Sequence, residues 1–315
     1  MSNHKKILIT GANGFIGSYL CVFLKEKGYF VRGAVRNNTS DIFGVDEYIQ
    51  VADINELTDW TKALQNIDFV VHLAGRAHIM NERKSDSAAA YHRVNVLGTK
   101  RLAEQSAKAG VKRFIFISSI KVNGEVFNLP YTEEDTPNPQ DAYGFSKLEA
   151  EKVLLNGAFN AGFNTVILRV SLVYGPGVRS NFKNLIKIAS SGLPLPFKGI
   201  NNRRSFLYLG NLADAIFSCI EHPLAAGETF LVSDGQDVST PDLIKMIACA
   251  MKKKMVLFFL FPGILKALCK IFGKMNELEK LTGSLFVDSS KIRNLLNWNP
   301  PFTFEEGIRE TVKKE

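Results

Sequence analysis

Cysteine is scarce and scattered. Cys21, Cys219, Cys249 and Cys269 are the only four in 315 residues, each alone in an apolar stretch, with no CxxC and no Cys/His spacing. That excludes a disulfide framework and a cysteine-built zinc site, and it suits a reducing cytoplasm, the expected location. The five histidines also lack ligand spacing; His72, inside VVHLAG, reads as a packed or hydrogen-bonded core residue, and no metal site is expected. There is no low-complexity tract and no repeat of fixed period, which excludes a solenoid or a disordered linker. The opening MSNHKKILIT lacks the long apolar core and small-residue cleavage site of a signal peptide, so none is expected. Acidic residues fall short of basic ones, 31 against 39, for a net charge of +8. No basic stripe interleaves with aromatics, however, and Lys252-Lys253-Lys254 is the only run. Nucleic acid is therefore not an expected partner, whereas a phosphate-bearing small ligand suits the charge. No unbroken apolar run is long enough to span a bilayer. The one membrane-like stretch, residues 255–273, is interrupted by Pro262-Gly263 and by Lys266 and Lys270. Its second half, Ile264 to Phe272, reads as an amphipathic helix expected to bury its apolar face internally, with peripheral membrane association the less favoured alternative.

Apolar strand-like runs alternate with helical patterns through the first half of the chain. KKILIT leads into a helix over about Phe15 to Lys27, then come YFVRGAV and EYIQVAD. A helix near 56–65 precedes DFVVHLAG, and a long helix over about 86–109 precedes RFIFISS. A further helix runs from Tyr143 to about Phe159, before the strand NTVILRVSLVYG. Buried strands separated by helices predict an α/β fold, a doubly wound parallel sheet covered on both faces. After Gly175 the pattern turns to Pro- and Gly-rich loops and short helices. The expected division is a dinucleotide-binding domain over 1–170 and a smaller C-terminal lobe over 171–315. The two interleave around 205–221, where Asn211 to Glu221 reads as a helix returning to the first domain.

Two patterns carry chemistry. The first strand runs straight into TGANGFIG, with Gly11, Gly14 and Gly17 at a strand-to-helix turn. Glycines there permit a tight turn and close approach of backbone to a pyrophosphate, at a helix N-terminus with free N–H groups. The second pattern is Tyr143 and Lys147 in YGFSK, with Ser118-Ser119 upstream. Residues four apart share a helix face, and an ammonium beside a phenol favours the phenolate, which fits Tyr143 for proton exchange at a carbinol oxygen.

The ordered set TGANGFIG, ADI (52–54), HLAG (72–75), RVNVLGT (93–99), FISSIKVNGE (116–125), YGFSK (143–147) and LRVSLVYGPG (168–177) resembles the extended short-chain dehydrogenase/reductase family. Within it, the likeness is to the NAD-dependent epimerases and dehydratases of nucleotide sugars. RRSFLYLGNLADA (203–215) and LLNWNPP extend it over nearly the whole chain. The resemblance implies a Rossmann-type domain and a UDP-sugar substrate. It implies that Gly11, Gly14, Phe15, Ile16 and Gly17 form the dinucleotide turn and that Asp53, with Ile54, meets the adenine. Leu73, Ala74 and Gly75 would line the pyrophosphate and ribose, and Asn95 would brace the active-site helix. Ser119 would bond the substrate oxygen, Tyr143 would exchange the proton, and Lys147 would hold the nicotinamide ribose while lowering the Tyr143 pKa. The roles of Ser118 and Ser119 could be exchanged. In the second lobe, Asn181 and Arg204 would hold the diphosphate, with Arg203 and Arg179 as alternatives, and Pro196 and Phe197 would flank the uracil. Homodimers are common in the family, but no helix face here is assigned as an interface.

Departures from the family pattern bear on the reaction. The acid usual at the end of the second strand is replaced by Val35-Arg36. Arg36 can pair with a 2′-phosphate, so NADP(H) is the expected cofactor and NAD the alternative. Ile120-Lys121 replace the Asp-Glu of the dehydratases, so dehydration is not expected. HLAGRAHIMNE, SSIKVNGE, PLPFKGINNRRS and LVSDGQDVSTPDL resemble a bacterial polysaccharide-locus subgroup of 4-epimerases and 4-ketoreductases. The expectation drawn from Arg36 is NADPH-dependent reduction of a UDP-4-keto-6-deoxy-N-acetylhexosamine to UDP-N-acetylquinovosamine. A UDP-glucose or UDP-N-acetylglucosamine 4-epimerase with bound NAD is the alternative. A non-catalytic dinucleotide-binding regulator is a third reading, weakened because both Tyr143 and Lys147 are present.

Overall fold

Short runs of β-branched and aromatic residues form the strands of this computed structural model. It describes residues 4–36, 43–77, 84–125, 128–157, 159, 162–273 and 275–313, without the side chains of 84–87, 180, 181, 262, 276 and 277. The strands are β1 (Lys6–Thr10), β2 (Phe30–Val35), β3 (Glu47–Gln50), β4 (Phe69–His72), β5 (Arg113–Ser119) and β6 (Asn164–Val170). They continue with β7 (Leu172–Tyr174), β8 (Arg204–Tyr208), β9 (Thr229–Val232) and β10 (Asp237–Val238). Seven of them make one parallel sheet in the order β3-β2-β1-β4-β5-β6-β9. The order reverses at β1, whose Ile9 lies between Gly33 of β2 and Val71 of β4. In an open parallel sheet, that reversal opens a crevice at the carboxyl ends of the strands, where ligands bind. A second, three-stranded sheet has the order β10-β8-β7.

The helices are α1 (Phe15–Glu26), α2 (Thr61–Leu64), α3 (Lys84–Tyr91), α4 (Gly98–Lys108), α5 (Ala142–Asn156) and α6 (Ser180–Ser190). They are followed by α7 (Leu209–Glu221), α8 (Thr240–Ala250), α9 (Pro262–Ile271), α10 (Met275–Thr282), α11 (Ser290–Leu296) and α12 (Phe304–Val312). The large sheet is apolar on both faces, which is why its strands read as continuous hydrophobic runs rather than alternating ones. Ile7, Ile9, Val71, Ile115 and Leu168 pack with Leu20 and Leu24 of α1 and Leu212 and Ile216 of α7. Leu8, Val70, Phe114, Phe116 and Ile167 pack on the other face with Leu102 of α4 and Leu154 of α5. The chain returns to the first sheet after 205: α7 packs on α1, and β9 pairs with β6. A separate core gathers Tyr174, Phe182, Phe206, Ile244, Phe304 and Ile308.

Four elements differ from the sequence reading. The helix expected near 56–65 is a single turn, α2. The long helix over 86–109 is interrupted by a π-helical turn at His92–Leu97. NTVILRVSLVYG divides at Ser171, and its two halves enter different sheets. Internal burial of 255–273 is overturned: Val256, Phe258, Phe259, Phe261, Ile264, Leu268, Ile271 and Phe272 are all exposed. Amphipathic spacing selects a face of a helix but does not say what covers it.

Candidate active site

The glycine turn connects β1 to α1 as its sequence requires. Gly11 has φ +70°, and a Cβ there would sit 3.1 Å from the Ala74 backbone. At Gly17 a Cβ would lie 2.1 Å from the Gly11 carbonyl oxygen, so any side chain would push the helix off the strand. Gly14 is the N-cap of α1, with no side-chain cap and no acid in the first turn. Gly14 N itself donates to the Gly11 carbonyl at 2.9 Å, and the first-turn N–H groups of α1 are left to a ligand anion. Ile16 packs on the main core and Phe15 on the core of the second sheet, which fixes where the helix starts. A cleft of ≈ 590 Å³ opens here, lined by Gly11, Arg36, Asp53, Ile54, Ala74 and Gly75 among others. Leu73 is half-buried against the main core beside it.

Thr10 was not singled out by the sequence, yet it holds the loop that faces the glycine turn. Its Oγ1 accepts from Ala74 N at 3.1 Å and lies 2.7 Å from His72 Nδ1. The other ring nitrogen, Nε2, lies 3.0 Å from Thr99 Oγ1, whose hydroxyl donates to the Asn95 carbonyl. Burial, reinforced by the Lys147 charge, lowers the His72 pKa to about 3, so the ring is neutral and bonds within the core. Asn95 sits in the π-helical turn. Its Oδ1 accepts from Arg76 N at 2.7 Å, and its Nδ2 donates to the Arg76 carbonyl at 3.1 Å and to Ser146 Oγ at 2.9 Å. It therefore ties the loop after β4 to α5.

Asp141 caps α5, accepting from Gly144 N at 2.7 Å, and Lys121 forms an ion pair with the same carboxylate. Lys121 also donates its backbone N–H to Ser119 Oγ at 3.3 Å, so one residue links the end of β5 to the helix that carries Tyr143 and Lys147. The Ser119 hydroxyl lies beside the Tyr143 phenol and favours its ionised form. Ser118, by contrast, is buried and donates to Glu151. Lys147 is buried, donates to the Ile117 carbonyl at 2.9 Å and lies 5.9 Å from the Tyr143 ring centre. Burial lowers its pKa to about 8, opposed by the Glu151 charge.

The expected depression of the Tyr143 pKa is reversed in the protein by itself. Burial first, then the charges of Asp141 and Tyr91, push the phenol up to about 12, and only the Ser119 hydroxyl opposes them. Sequence spacing places an ammonium beside the ring but does not carry the cost of desolvating a phenolate. Tyr91, which the sequence reading passed over, packs edge-on against Tyr143 with ring centres 6.1 Å apart. Arg36 stands exposed at the rim of the cleft, its Nη1 3.4 Å from Asp53 Oδ1.

In the second lobe, Arg204 is half-buried and donates to the Lys280 and Gly283 carbonyls at 2.6 and 3.1 Å. Arg203 is exposed, paired with Asp237 at 2.9 Å and stacked on Phe286. Arg179 is exposed at the N-cap of α6. Phe197 is buried in the second core, and Pro196 is half-buried beside it. The side chain of Asn181 lies outside the described residues. Among the described residues, no group of His, Cys, Asp and Glu could hold a metal ion.

A family model described as "NAD dependent epimerase/dehydratase family" matches residues 7–233. A Vibrio cholerae protein named UDP-glucose 4-epimerase is 44% identical over 98% of this chain and 95% of its own length. An Escherichia coli O157:H7 protein named N-acetyl-alpha-D-glucosaminyl-diphospho-ditrans,octacis-undecaprenol 4-epimerase is 27% identical over 98% and 95%. Among solved structures, UDP-glucuronic acid 4-epimerase from Bacillus cereus, in complex with UDP-glucuronic acid and NAD, superposes with TM-score 0.77. It is 27% identical and covers 98% of both chains. The chain is an enzyme of the NAD dependent epimerase/dehydratase family, a branch of the extended short-chain dehydrogenases/reductases.

Proposed function

We propose that this enzyme is a UDP-hexose 4-epimerase that keeps NAD bound through its cycle. The observation that carries the reading is the Ser119, Tyr143 and Lys147 set, gathered where β5 ends and α5 begins. The reductase expectation rested on Arg36 alone and gives way to the epimerase alternative, since the Vibrio and Bacillus relatives carry epimerase names. NADP(H) gives way to NAD for a related reason: Arg36 is paired with Asp53, whose carboxylate at the same rim would repel a 2′-phosphate. Residues 1–170 serve as the dinucleotide domain and 171–315 as the sugar-nucleotide lobe, with α7 and β9 of the second stretch completing the first domain.

The turn at Gly11, Gly14 and Gly17 fits a pyrophosphate, because its helix end is uncapped and its glycines leave no room for side chains. When bound, oxidised dinucleotide accepts and returns a hydride and brings a positive charge that lowers a neighbouring phenol pKa. Tyr143 takes the C4 hydroxyl proton and later gives it back to the C4 oxygen. Ser119, beside Tyr143, shares that oxygen and fixes its position. Lys147 holds the ribose hydroxyls through its ammonium, and Asn95 keeps the loop after β4 registered on α5. Arg204 and Asn181 hold the diphosphate, with Pro196 and Phe197 beside the base.

A second reading, favoured by the exposed apolar side chains between 255 and 273, is a sugar carried on a polyprenyl diphosphate, as in the name of the E. coli relative. The test incubates the enzyme, charged with NAD⁺, with UDP-glucose, UDP-N-acetylglucosamine or polyprenyl-diphosphate-linked N-acetylglucosamine, and reads C4 configuration by NMR. Epimerisation without added reductant is expected. Inert sugars, together with NADPH consumption on a 4-keto-6-deoxy UDP-sugar, would restore the reductase.

A further inference from the structure

Between Leu243 and Asn276 the chain holds seven lysines and no Asp, Glu, Arg or His; Lys245 pairs with Asp242 at 3.2 Å, and the other six accompany the apolar segment in a chain whose net charge is +8. The same stretch carries the largest gathering of exposed apolar side chains in the described residues. Phe261, Ile271 and Phe272 are 68%, 76% and 72% exposed, and Phe259, Ile264 and Leu268 join them. On α9, Ile264, Leu268 and Ile271 recur at helical spacing along one face, while the exposed Lys266 and Lys270 occupy another. Lys252, Lys253 and Lys254 stand exposed just before the aromatic segment. Soluble monomers rarely leave a contiguous apolar patch of this kind without a partner.

We infer that this surface docks on an anionic lipid bilayer. Apolar side chains on a lysine-rich, acid-free segment are the composition that lies in the plane of a charged interface, the rings entering the acyl boundary and the ammonium groups meeting lipid phosphates. A second copy of the chain fits less well, because pairing the patch with itself would oppose two clusters of lysine with no acid between them. The docking segment is continuous with the sugar-nucleotide lobe. Leu195 N donates to the Val256 carbonyl at 3.0 Å, Phe258 N to the Leu195 carbonyl at 2.9 Å and Lys198 N to the Phe258 carbonyl at 3.2 Å. The loop bearing Pro196 and Phe197 is thus laced to the extended segment 256–258, and docking holds that edge of the substrate lobe at the lipid surface. The inference stands on the surface itself and does not depend on which sugar the site takes.

The test is co-sedimentation of the full-length protein with phosphatidylcholine vesicles, with and without about 30 mol% phosphatidylglycerol, at low salt and at about 0.5 M salt. Most of the protein should pellet with the anionic vesicles at low salt, little with the neutral ones, and less as salt rises. Leu268→Glu with Ile271→Glu, and separately Lys252→Gln with Lys253→Gln and Lys254→Gln, should each cut the bound fraction by roughly fivefold or more. Both variants should keep the wild-type melting transition and the wild-type turnover of a soluble UDP-sugar, because none of these residues belongs to the site. Absence of binding to anionic vesicles, or binding that both variants retain, would overturn the inference. A concentration-dependent dimer that Leu268→Glu with Ile271→Glu dissolves would also overturn it, by giving the face to a second copy.

Discussion

Glu151 offers one perturbation with two independent readings, because it supports both the fold and the charge of the active-site lysine. Its carboxylate is buried and accepts from Arg169 Nε at 3.1 Å to each oxygen and from Arg169 Nη2 at 2.8 Å, and Ser118 donates to it as well. Arg169 is buried too, and its remaining described side-chain partner is Asn123 Oδ1 at 3.1 Å. Glu151→Ala would leave a guanidinium in the interior without its counter-ion, a change that costs about 3–5 kcal/mol. At about 2 °C per kcal/mol for a chain of this size, the melting temperature should fall by roughly 6–10 °C. Glu151→Gln keeps the shape and one acceptor and should cost about 2 kcal/mol. The second reading concerns Lys147, one helical turn away, whose pKa the Glu151 charge raises against burial. A unit charge at roughly 6 Å in an effective dielectric constant of about 20 is worth about 2.8 kcal/mol, or about two pKa units. Arg169 is present before and after the substitution and cancels from the difference. In Glu151→Gln, the pH above which turnover fails through loss of the Lys147 ammonium should therefore move to lower pH by about one to two units. The assay is kcat against pH for wild type and Glu151→Gln, beside thermal melts of both variants. An unchanged alkaline limb in a folded Glu151→Gln enzyme would refute the electrostatic coupling, and an unchanged melting temperature in Glu151→Ala would refute the buried-pair argument.

Tyr143→Phe should lower kcat by about 10²–10⁴-fold, the usual worth of a positioned acid–base group, while dinucleotide binding followed by fluorescence stays within a few-fold of wild type. Retained turnover would remove Tyr143 from the proton path. Gly17→Ala should abolish dinucleotide binding and lower the melting temperature, since its Cβ would lie 2.1 Å from a carbonyl oxygen that cannot swing aside. A variant that binds dinucleotide as tightly as wild type would show that α1 can shift without cost. Asp234 gives a pH test of stability. Burial raises its pKa to about 6, against hydrogen bonds from Asn211, Tyr208 and Tyr174 that lower it. The folded state therefore binds the proton more tightly than the unfolded chain, and the stability contributed by the protonated carboxyl is fully present below about pH 4 and lost as pH rises through about 6. Urea titrations from pH 4 to 7 should show Asp234→Asn gaining about 2–3 kcal/mol relative to wild type over that window. Parallel curves for the two proteins would refute the shift.

What was legible in the sequence is what local spacing determines. A strand feeding three glycines at a helix start permits few backbone paths, and the structure shows one, with Gly11 at positive φ and Gly17 against its carbonyl. A tyrosine and a lysine four apart had to share a face, and Ser119 lies beside that tyrosine whereas Ser118 donates to Glu151. The rest was set by residues far apart in the chain. Asp53 meets Arg36 because β2 and the loop after β3 end side by side, so the cation that suggested a 2′-phosphate already has a partner. Asn95 reaches Ser146 from a π-helical turn that no periodicity announces. The sign of the Tyr143 shift depends on how much water the packed site excludes, and side-chain order does not encode that quantity. Segment 255–273 shows the same limit from the other side. Its apolar stripe would look identical whether it faced a core or a lipid surface. What separates the two cases is the charge around it: an internal helix gains nothing from a long stretch of lysine without acid, whereas a helix on an anionic surface does. Seven of the net eight positive charges of this chain therefore fall in the stretch that carries this helix, and the remainder of the chain nets only one.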